Sequence, residues 1–279
     1  MQRFALRLAM TFVSGATIVL VMSACGKTSH TEPAASAVST SHDNADRPAA
    51  PAASEASEVE APVTGAEGDP DELQVAPIAG AAGVGSAAVL AEATRMVDTM
   101  TASTYSHKTH VEGTVYDLDC SGFVDYVLAR VAPAALGELR AATVKRPLAK
   151  HFVDFLAAGN RSAARTTWER IARVNELSPG SLVAWRKPDD VTSTNTGHVM
   201  IVAASPTQRE DGGWLVAVLD SSASPHGKDD TRKKRRATGM GRGTMVLETN
   251  ASGAPVAYRW SPLHVSRRHA TEIVMGRLR

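Results

Sequence analysis

Asp119-Cys120-Ser121-Gly122-Phe123 opens a stretch with helical periodicity. About 80 residues later, Thr196-Gly197-His198-Val199-Met200-Ile201-Val202 brings a histidine to the start of an apolar run. A cysteine at a helix N-terminus and a histidine entering a strand, in that order, are the makings of a thiol nucleophile and its base. A helix N-terminus favours negative charge, so Cys120 is expected to lean towards the thiolate. The strand gives the imidazole a rigid platform. The chemistry this points to is cysteine-dependent hydrolysis or transfer of an acyl group.

The elements that must position these two residues are readable by period. Ser86 is placed to cap a helix running to about Met100, with Val89, Leu90, Ala93, Met96, Val97 and Met100 on one face. A polar loop over 101–117 carries Tyr105, His107 and His110. In the cysteine helix Phe123, Val124, Val127, Leu128 and Val131 form the apolar face, and Pro133 ends it. The segment 134–175 reads as helical, with Phe152, Val153, Phe155 and Leu156 on one face, Trp168, Ile171 and Val174 on another, and a break at Asn160. From Ser178 the period changes to that of strands, expected over 181–185, 198–204, 214–220, 244–249, 256–260 and 272–278. Helices followed by an antiparallel sheet make an α+β fold.

The N-terminus reads as a targeting segment. Arg3 and Arg7 precede a mostly apolar run from Leu8 to Met22 that is short of the roughly 20 residues of a spanning helix. Its end, Met22-Ser23-Ala24-Cys25, resembles a bacterial lipobox, whose cysteine becomes a lipidated N-terminus. The expected organisation is a signal peptide over 1–24, an Ala/Ser/Pro-rich tether without aromatics over 25–80, and one catalytic domain over 81–279. The tether cannot bury enough apolar surface to offset its ordering entropy. Gly26 after the lipid cysteine, where aspartate would argue for inner-membrane retention, leans towards the outer membrane. The chain has two cysteines, and lipid on Cys25 leaves Cys120 as a lone thiol in an oxidising compartment, which argues that it works.

A net charge of +1 selects no partner. His107, His110, His151, His264 and His269 show no metal-ligand spacing, so a zinc amidase is disfavoured and no metal is expected. No Gly-rich phosphate loop stands between a strand and a helix, so no nucleotide cofactor is expected. Lys228–Arg242 holds seven basic residues and ends in Gly239, Gly241 and Gly243. It reads as a solvated loop, or as a basic patch near the site that attracts anionic peptides; nucleic acid is discounted for an exported chain.

Asp119-Cys120-Ser121-Gly122-Phe123, the Pro179-Gly180-Ser181-Leu182-Val183-Ala184-Trp185 strand and the Gly197-His198-Val199-Met200-Ile201-Val202 strand resemble the NlpC/P60 family of bacterial cell-wall peptidases. The resemblance covers roughly 87–220. It implies a papain-like fold, with the cysteine helix packed on an antiparallel β-sheet, and cleavage of an amide bond in peptidoglycan stem peptides. Two features depart from the family. Members commonly carry Tyr-x-x-Gly-Gly about fifteen residues before the cysteine; here Tyr105 is followed by Ser106-His107-Lys108. The 134–175 connection is also longer than usual and is placed to wall the cleft.

The resemblance also implies a third polar residue on the strand after the histidine strand. Asp220, closing Trp214–Asp220, is placed to accept the second ring N–H of His198 and fix its tautomer; Ser221 and His226 are the alternatives. The Cys120 backbone N–H, aided by the Tyr105 hydroxyl, would meet the oxyanion. Asp119 reads as a helix cap rather than a catalytic acid, and Ser121 and Gly122 as small residues that let a substrate backbone approach. The expectation is a monomeric, lipid-anchored envelope endopeptidase with Cys120, His198, Asp220 and Tyr105 in its site. Its rivals are an amidase or acyltransferase acting on a non-murein substrate, and a catalytically silent murein-binding lipoprotein.

Overall fold

A computed structural model describes residues 85–159, 167–263 and 265–279. The signal segment, Cys25, the tether, Asn160 and His264 lie outside the described residues. Among the described residues no helix is long and apolar enough to cross a membrane.

The chain enters as α1 (Ser86–Thr99), which buries Val89, Ala93, Met96 and Val97. Gly85, not Ser86, occupies the cap position. The Ser86 hydroxyl instead donates to the Leu278 carbonyl and accepts from its N–H, tying the helix start to the last strand. Three short strands replace the expected 101–117 loop: β1 (Ala102–Thr104), β2 (His110–Glu112) and β3 (Val115–Asp117), in the order β1-β3-β2 with β1 parallel to β3. Three-residue strands leave no period to read, and Gly113 at φ 58° makes the turn between β2 and β3.

Helix α2 (Cys120–Val131) buries Phe123, Val124, Val127 and Leu128, each contributing about 1.5–3 kcal/mol of transfer free energy. Pro133 ends it by starting α3 (Pro133–Ala142), where a proline in the first turn costs no hydrogen bond. Helix α4 (Ala149–Ala158) buries Phe152, Val153, Phe155 and Leu156 as the spacing predicts. The helical reading of 143–148 and 167–175 is overturned. Trp168–Ile171 is strand β4, paired with Leu278 to Met275 at the end of the chain, and Val174–Glu176 is a 3-10 turn.

The strands that follow are β5 (Leu182–Arg186), β6 (Gly197–Val202), β7 (Thr207–Gln208), β8 (Trp214–Ser222), β9 (Gly239–Thr249), β10 (Pro255–Arg259), β11 (Arg268–Ala270) and β12 (Ile273–Leu278). Between β8 and β9 lies the short helix α5 (Thr231–Arg235). The large sheet runs β11-β10-β9-β8-β6-β5-β12-β4, with β7 on β8. Its ladders are antiparallel. With helices on one face, the architecture is α+β.

Alternation along the strands splits the interior in two. Leu182, Ala184, Val199, Ile201 and Leu219 meet the helices. Val183, Trp185, Met200, Val202, Val216 and Val218 fill a second core on the opposite face. Sheet curvature closes that second core: Trp185 of β5 stacks on Tyr258 of β10 at 4.3 Å, although three strands separate them in the sheet order.

Candidate active site

Cys120 stands at the first position of α2, where the fold fixes it from two sides. Asp119 caps the helix, its Oδ1 accepting from the Gly122 N–H at 2.6 Å and the Ser121 hydroxyl at 2.9 Å. The other carboxylate oxygen meets Arg146 at 3.1 Å and the His107 ring at 3.3 Å. A Cβ on Gly122 would sit 3.1 Å from Asp119 Oδ1, so Ser121 and Gly122 serve the cap rather than a substrate backbone. Ser221, an alternative third residue by sequence, donates its hydroxyl to the Leu118 carbonyl and so pins the loop ahead of the cysteine to β8.

Cys120 packs in one buried cluster with Val199, the residue after His198. The thiol is 5% exposed. Burial pushes it up, and the Asp119 and Asp220 carboxylates add to that; the Val199 and Ser121 N–H groups only partly oppose. The expected thiolate bias is opposed: burial and two carboxylates work against the helix N-terminus and favour the thiol.

His198 leads β6 opposite Trp185 of β5. Gly197 before it has φ 143°, and a Cβ there would come within 1.9 Å of the Trp185 carbonyl oxygen, so only glycine admits the close pairing. The imidazole lies between the Trp185 ring (5.4 Å) and the edge-on Trp260 ring (5.1 Å). Its Nε2 is 2.7 Å from Asp220 Oδ2. The carboxylate can only accept, so Nε2 carries the proton and Nδ1 is left as the basic nitrogen, an assignment from the partners. Burial lowers the imidazole's proton affinity, Asp220 raises it, and His226 and Arg232 lower it again, with a net fall. Both shifts favour the neutral form, thiol beside imidazole.

Asp220, on β8, is fully buried. Oδ2 also faces His226 Nε2 at 3.0 Å, and Oδ1 lies 2.8 Å from the Arg232 guanidinium. Burial works to raise this carboxyl, yet Arg232, His226 and His198 together hold it well below the usual carboxylate range. Tyr105 lies in the loop after β1, its hydroxyl reaching Asn195 at 3.4 Å and its ring edge-on to His107 at 5.4 Å.

The chain is 30% identical over 180 residues to the uncharacterized protein R653 of Acanthamoeba polyphaga mimivirus, a match covering 57% of this chain and 77% of that protein. It belongs to that protein's family. No family model and no solved structure matches the chain.

In this member of the mimivirus protein's family, sequence reasoning missed most of what holds Asp220. The basic run 228–242 is neither a loop nor wholly solvated. Asp230 caps α5, Arg232 is fully buried between Asp220 and Asp230, and the end of the run is strand β9. Gly241 and Gly243 alternate on one face of β9. A Cβ at Gly241 would meet Arg232 at 2.8 Å, and one at Gly243 would meet Asp230 and His226 at 2.6 Å. That Gly-x-Gly spacing at strand period was the available signal.

The remaining histidines are dispersed. His110 approaches Asp117, His151 accepts from the Leu148 N–H and His269 stacks on Tyr258. Among the described residues, His198, Asp220 and His226 have donor atoms within 4.8 Å of one another, close enough for a shared ion. An ion there would have to break both hydrogen bonds to Oδ2 and sit beside the Arg232 guanidinium.

Proposed function

We propose that this chain is a cysteine-dependent amide hydrolase of the NlpC/P60 type, with a papain-like catalytic domain acting on peptidoglycan stem peptides. The observation that carries the reading is Asp220 bonded to Nε2 of a histidine whose strand neighbour, Val199, shares a buried cluster with Cys120. A cysteine-led helix packed on an antiparallel sheet, with the histidine at a strand start, supports the fold assignment.

With both groups neutral at rest, His198 Nδ1 removes the thiol proton as Sγ forms its bond to the scissile carbonyl carbon. The same nitrogen then gives that proton to the leaving amine as the C–N bond breaks. Water, deprotonated by His198, resolves the thioester to the acid and restores the thiol. Asp220 holds the tautomer and stabilises the imidazolium formed on the way. The Cys120 backbone N–H, with the Tyr105 hydroxyl, is the proposed donor pair for the oxyanion. The proposal includes the N-terminal features: lipidation at Cys25 and an envelope-facing, outer-membrane-anchored domain on a tether, without cofactor or metal.

A second reading is the same Cys-His-Asp chemistry on a non-murein amide or acyl substrate. It is favoured by the loop in which the family's Gly pair is missing. There the Ser106 hydroxyl bonds the Lys108 backbone and the His107 ring lies on Asp119.

Mass spectrometry of purified murein digested with wild type and with Cys120→Ala tests the first reading. New fragments from wild type alone establish it, and their masses name the bond. Digestion by neither, from a thiol that still alkylates, moves the assignment to the second reading.

A further inference from the structure

We propose that His226 is a second histidine of this site whose two ring nitrogens both donate, a positioning residue that together with Arg232 fixes Asp220 against His198. The proposal rests on the reading of His198 as the base and adds the device that sets its proton affinity.

Each ring nitrogen of His226 faces an acceptor. Nδ1 lies 3.0 Å from the Trp260 carbonyl oxygen, which can only accept. Nε2 lies 3.0 Å from Asp220 Oδ2, on a carboxylate held in its ionised form, which also can only accept. A neutral imidazole has one N–H, so it would leave one of these buried contacts as lone pair against lone pair. Both are satisfied when both nitrogens carry hydrogen, which makes His226 an imidazolium.

Charge balance agrees. His226, Asp220, Asp230 and Arg232 are all buried, at 1%, 0%, 2% and 0% exposure. Burial of ions is tolerated when they are paired, and Asp220 Oδ1, which has no hydrogen bond, is ion-paired with Arg232 at 2.8 Å. Two carboxylates face one guanidinium; the imidazolium closes the set at neutrality. Asp230 completes the wiring, accepting from the His226 backbone N–H at 2.9 Å and from the Arg232 guanidinium at 2.7 Å. The Trp260 ring lies on the His226 ring at 4.0 Å and 30°, a face that suits a cation. On β9, Gly241 and Gly243 clear the floor under this set.

The consequence falls on His198. The ionisable groups around the pair are Asp220 from β8, Asp230 and Arg232 from α5 and its cap, and Cys120 from α2; β9 presents glycine and the end of β10 presents Trp260. Asp220 alone would make His198 a stronger base, prone to sit protonated and useless towards a thiol. The positive charges of His226 and Arg232 offset this while keeping Asp220 aligned. His226 touches neither thiol nor substrate in this account; it acts through Asp220.

Nuclear magnetic resonance of the full chain with labelled histidines tests this without any substrate. The expected result is that both ring nitrogens of His226 carry hydrogen at neutral pH. In His226→Gln, which keeps a donor but loses the charge, the His198 titration midpoint should move up by about one pH unit. A bare ring nitrogen on His226 in wild type overturns the proposal. So does an unmoved His198 midpoint in a folded variant, the result a purely structural role would give. If His226→Gln fails to fold, the wild-type ring signals still decide. Failure of murein cleavage would sink the substrate reading and leave these signals untouched.

Discussion

Asp220 meets His198 at 2.7 Å with no exposed surface on the carboxylate, so the orientation of the base is set inside the protein rather than by solvent. The pairing is diagonal across neighbouring strands. Both side chains leave the sheet on the face away from the helices, as the β6–β8 register requires. The cysteine reaches the same strand end from the other face, through the N-terminus of α2.

If Asp220 only orients, Asp220→Asn keeps the shape and loses the charge. Turnover should fall by about 100-fold or more, yet remain above that of Cys120→Ala. The variant should also be less stable by about 3 kcal/mol, because Arg232 and His226 lose a buried counter-charge. Steady-state rates beside denaturant unfolding separate the two effects. Equal loss in both variants with folding intact would place Asp220 in the reacting step itself.

The resting protonation of Cys120 follows from its surroundings. Desolvation and the carboxylates of Asp119 and Asp220 raise the thiol, so thiolate should be scarce at neutral pH. The difference in thiolate ultraviolet absorbance between wild type and Cys120→Ala should grow only above the roughly pH 8.5 of a free thiol. Absorbance already present at pH 6 would mean that the His198 ion pair outweighs burial.

The glycine floor of β9 gives a prediction about stability alone. Gly243→Ala drives a methyl to 2.6 Å from both Asp230 and His226, groups locked by their own bonds, and should cost about 1–3 kcal/mol. Gly137 in α3 is the control: a Cβ there meets nothing within 4 Å, and Gly137→Ala should stabilise by about 0.5–1 kcal/mol. Urea unfolding midpoints read both. A neutral Gly243→Ala would show that the buried ionic set can shift aside.

What was legible in the sequence was what local pattern dictates. The cysteine helix announced itself by Asp119, the spacing from Phe123 to Val131 and Pro133, and the strands carrying His198 and Asp220 by their apolar runs. Strand β4 was not legible, because Trp168-Glu-Arg-Ile has apolar residues three apart, a helical spacing; in the strand they serve opposite cores, and its strand character comes from pairing with Leu278 at the far end of the chain. The anchoring of Asp220 was hidden for a related reason. Arg232 sits among Lys233, Lys234, Arg235 and Arg236, which are exposed, and nothing local distinguishes the one arginine that tertiary structure buries. The protonation of Cys120 was misread because burial, which comes from distant strands, and the adjacent Asp119 carboxylate, read only as a helix cap, work against the helix terminus.

Acid should unfold this protein through identifiable carboxylates. Asp119, Glu92 and Asp220 are each lowered in the folded chain: burial opposes this in all three, but His107 and Arg146 act on Asp119, Arg95 and Arg130 on Glu92, and Arg232 and the two histidines on Asp220. A carboxyl with a lowered folded value contributes stability above its unfolded value, about 3.9 for Asp and 4.3 for Glu, and that stability is lost as pH falls through the folded value. Asp125 runs the other way, raised by burial with Arg140 opposing, so its contribution favours acid. Glu169, Glu176 and Glu248 are lowered as well, so the lowered carboxyls outnumber Asp125 and stability should drop below about pH 4. Asp119→Asn keeps a good cap but removes one titrating group, so its unfolding free energy should fall less steeply with acid than that of wild type. Denaturant titrations at several acid pH values measure the slope. An unchanged slope would mean that Asp119 holds the same proton affinity folded and unfolded, and that its bonds to Arg146 and His107 carry no net charge preference.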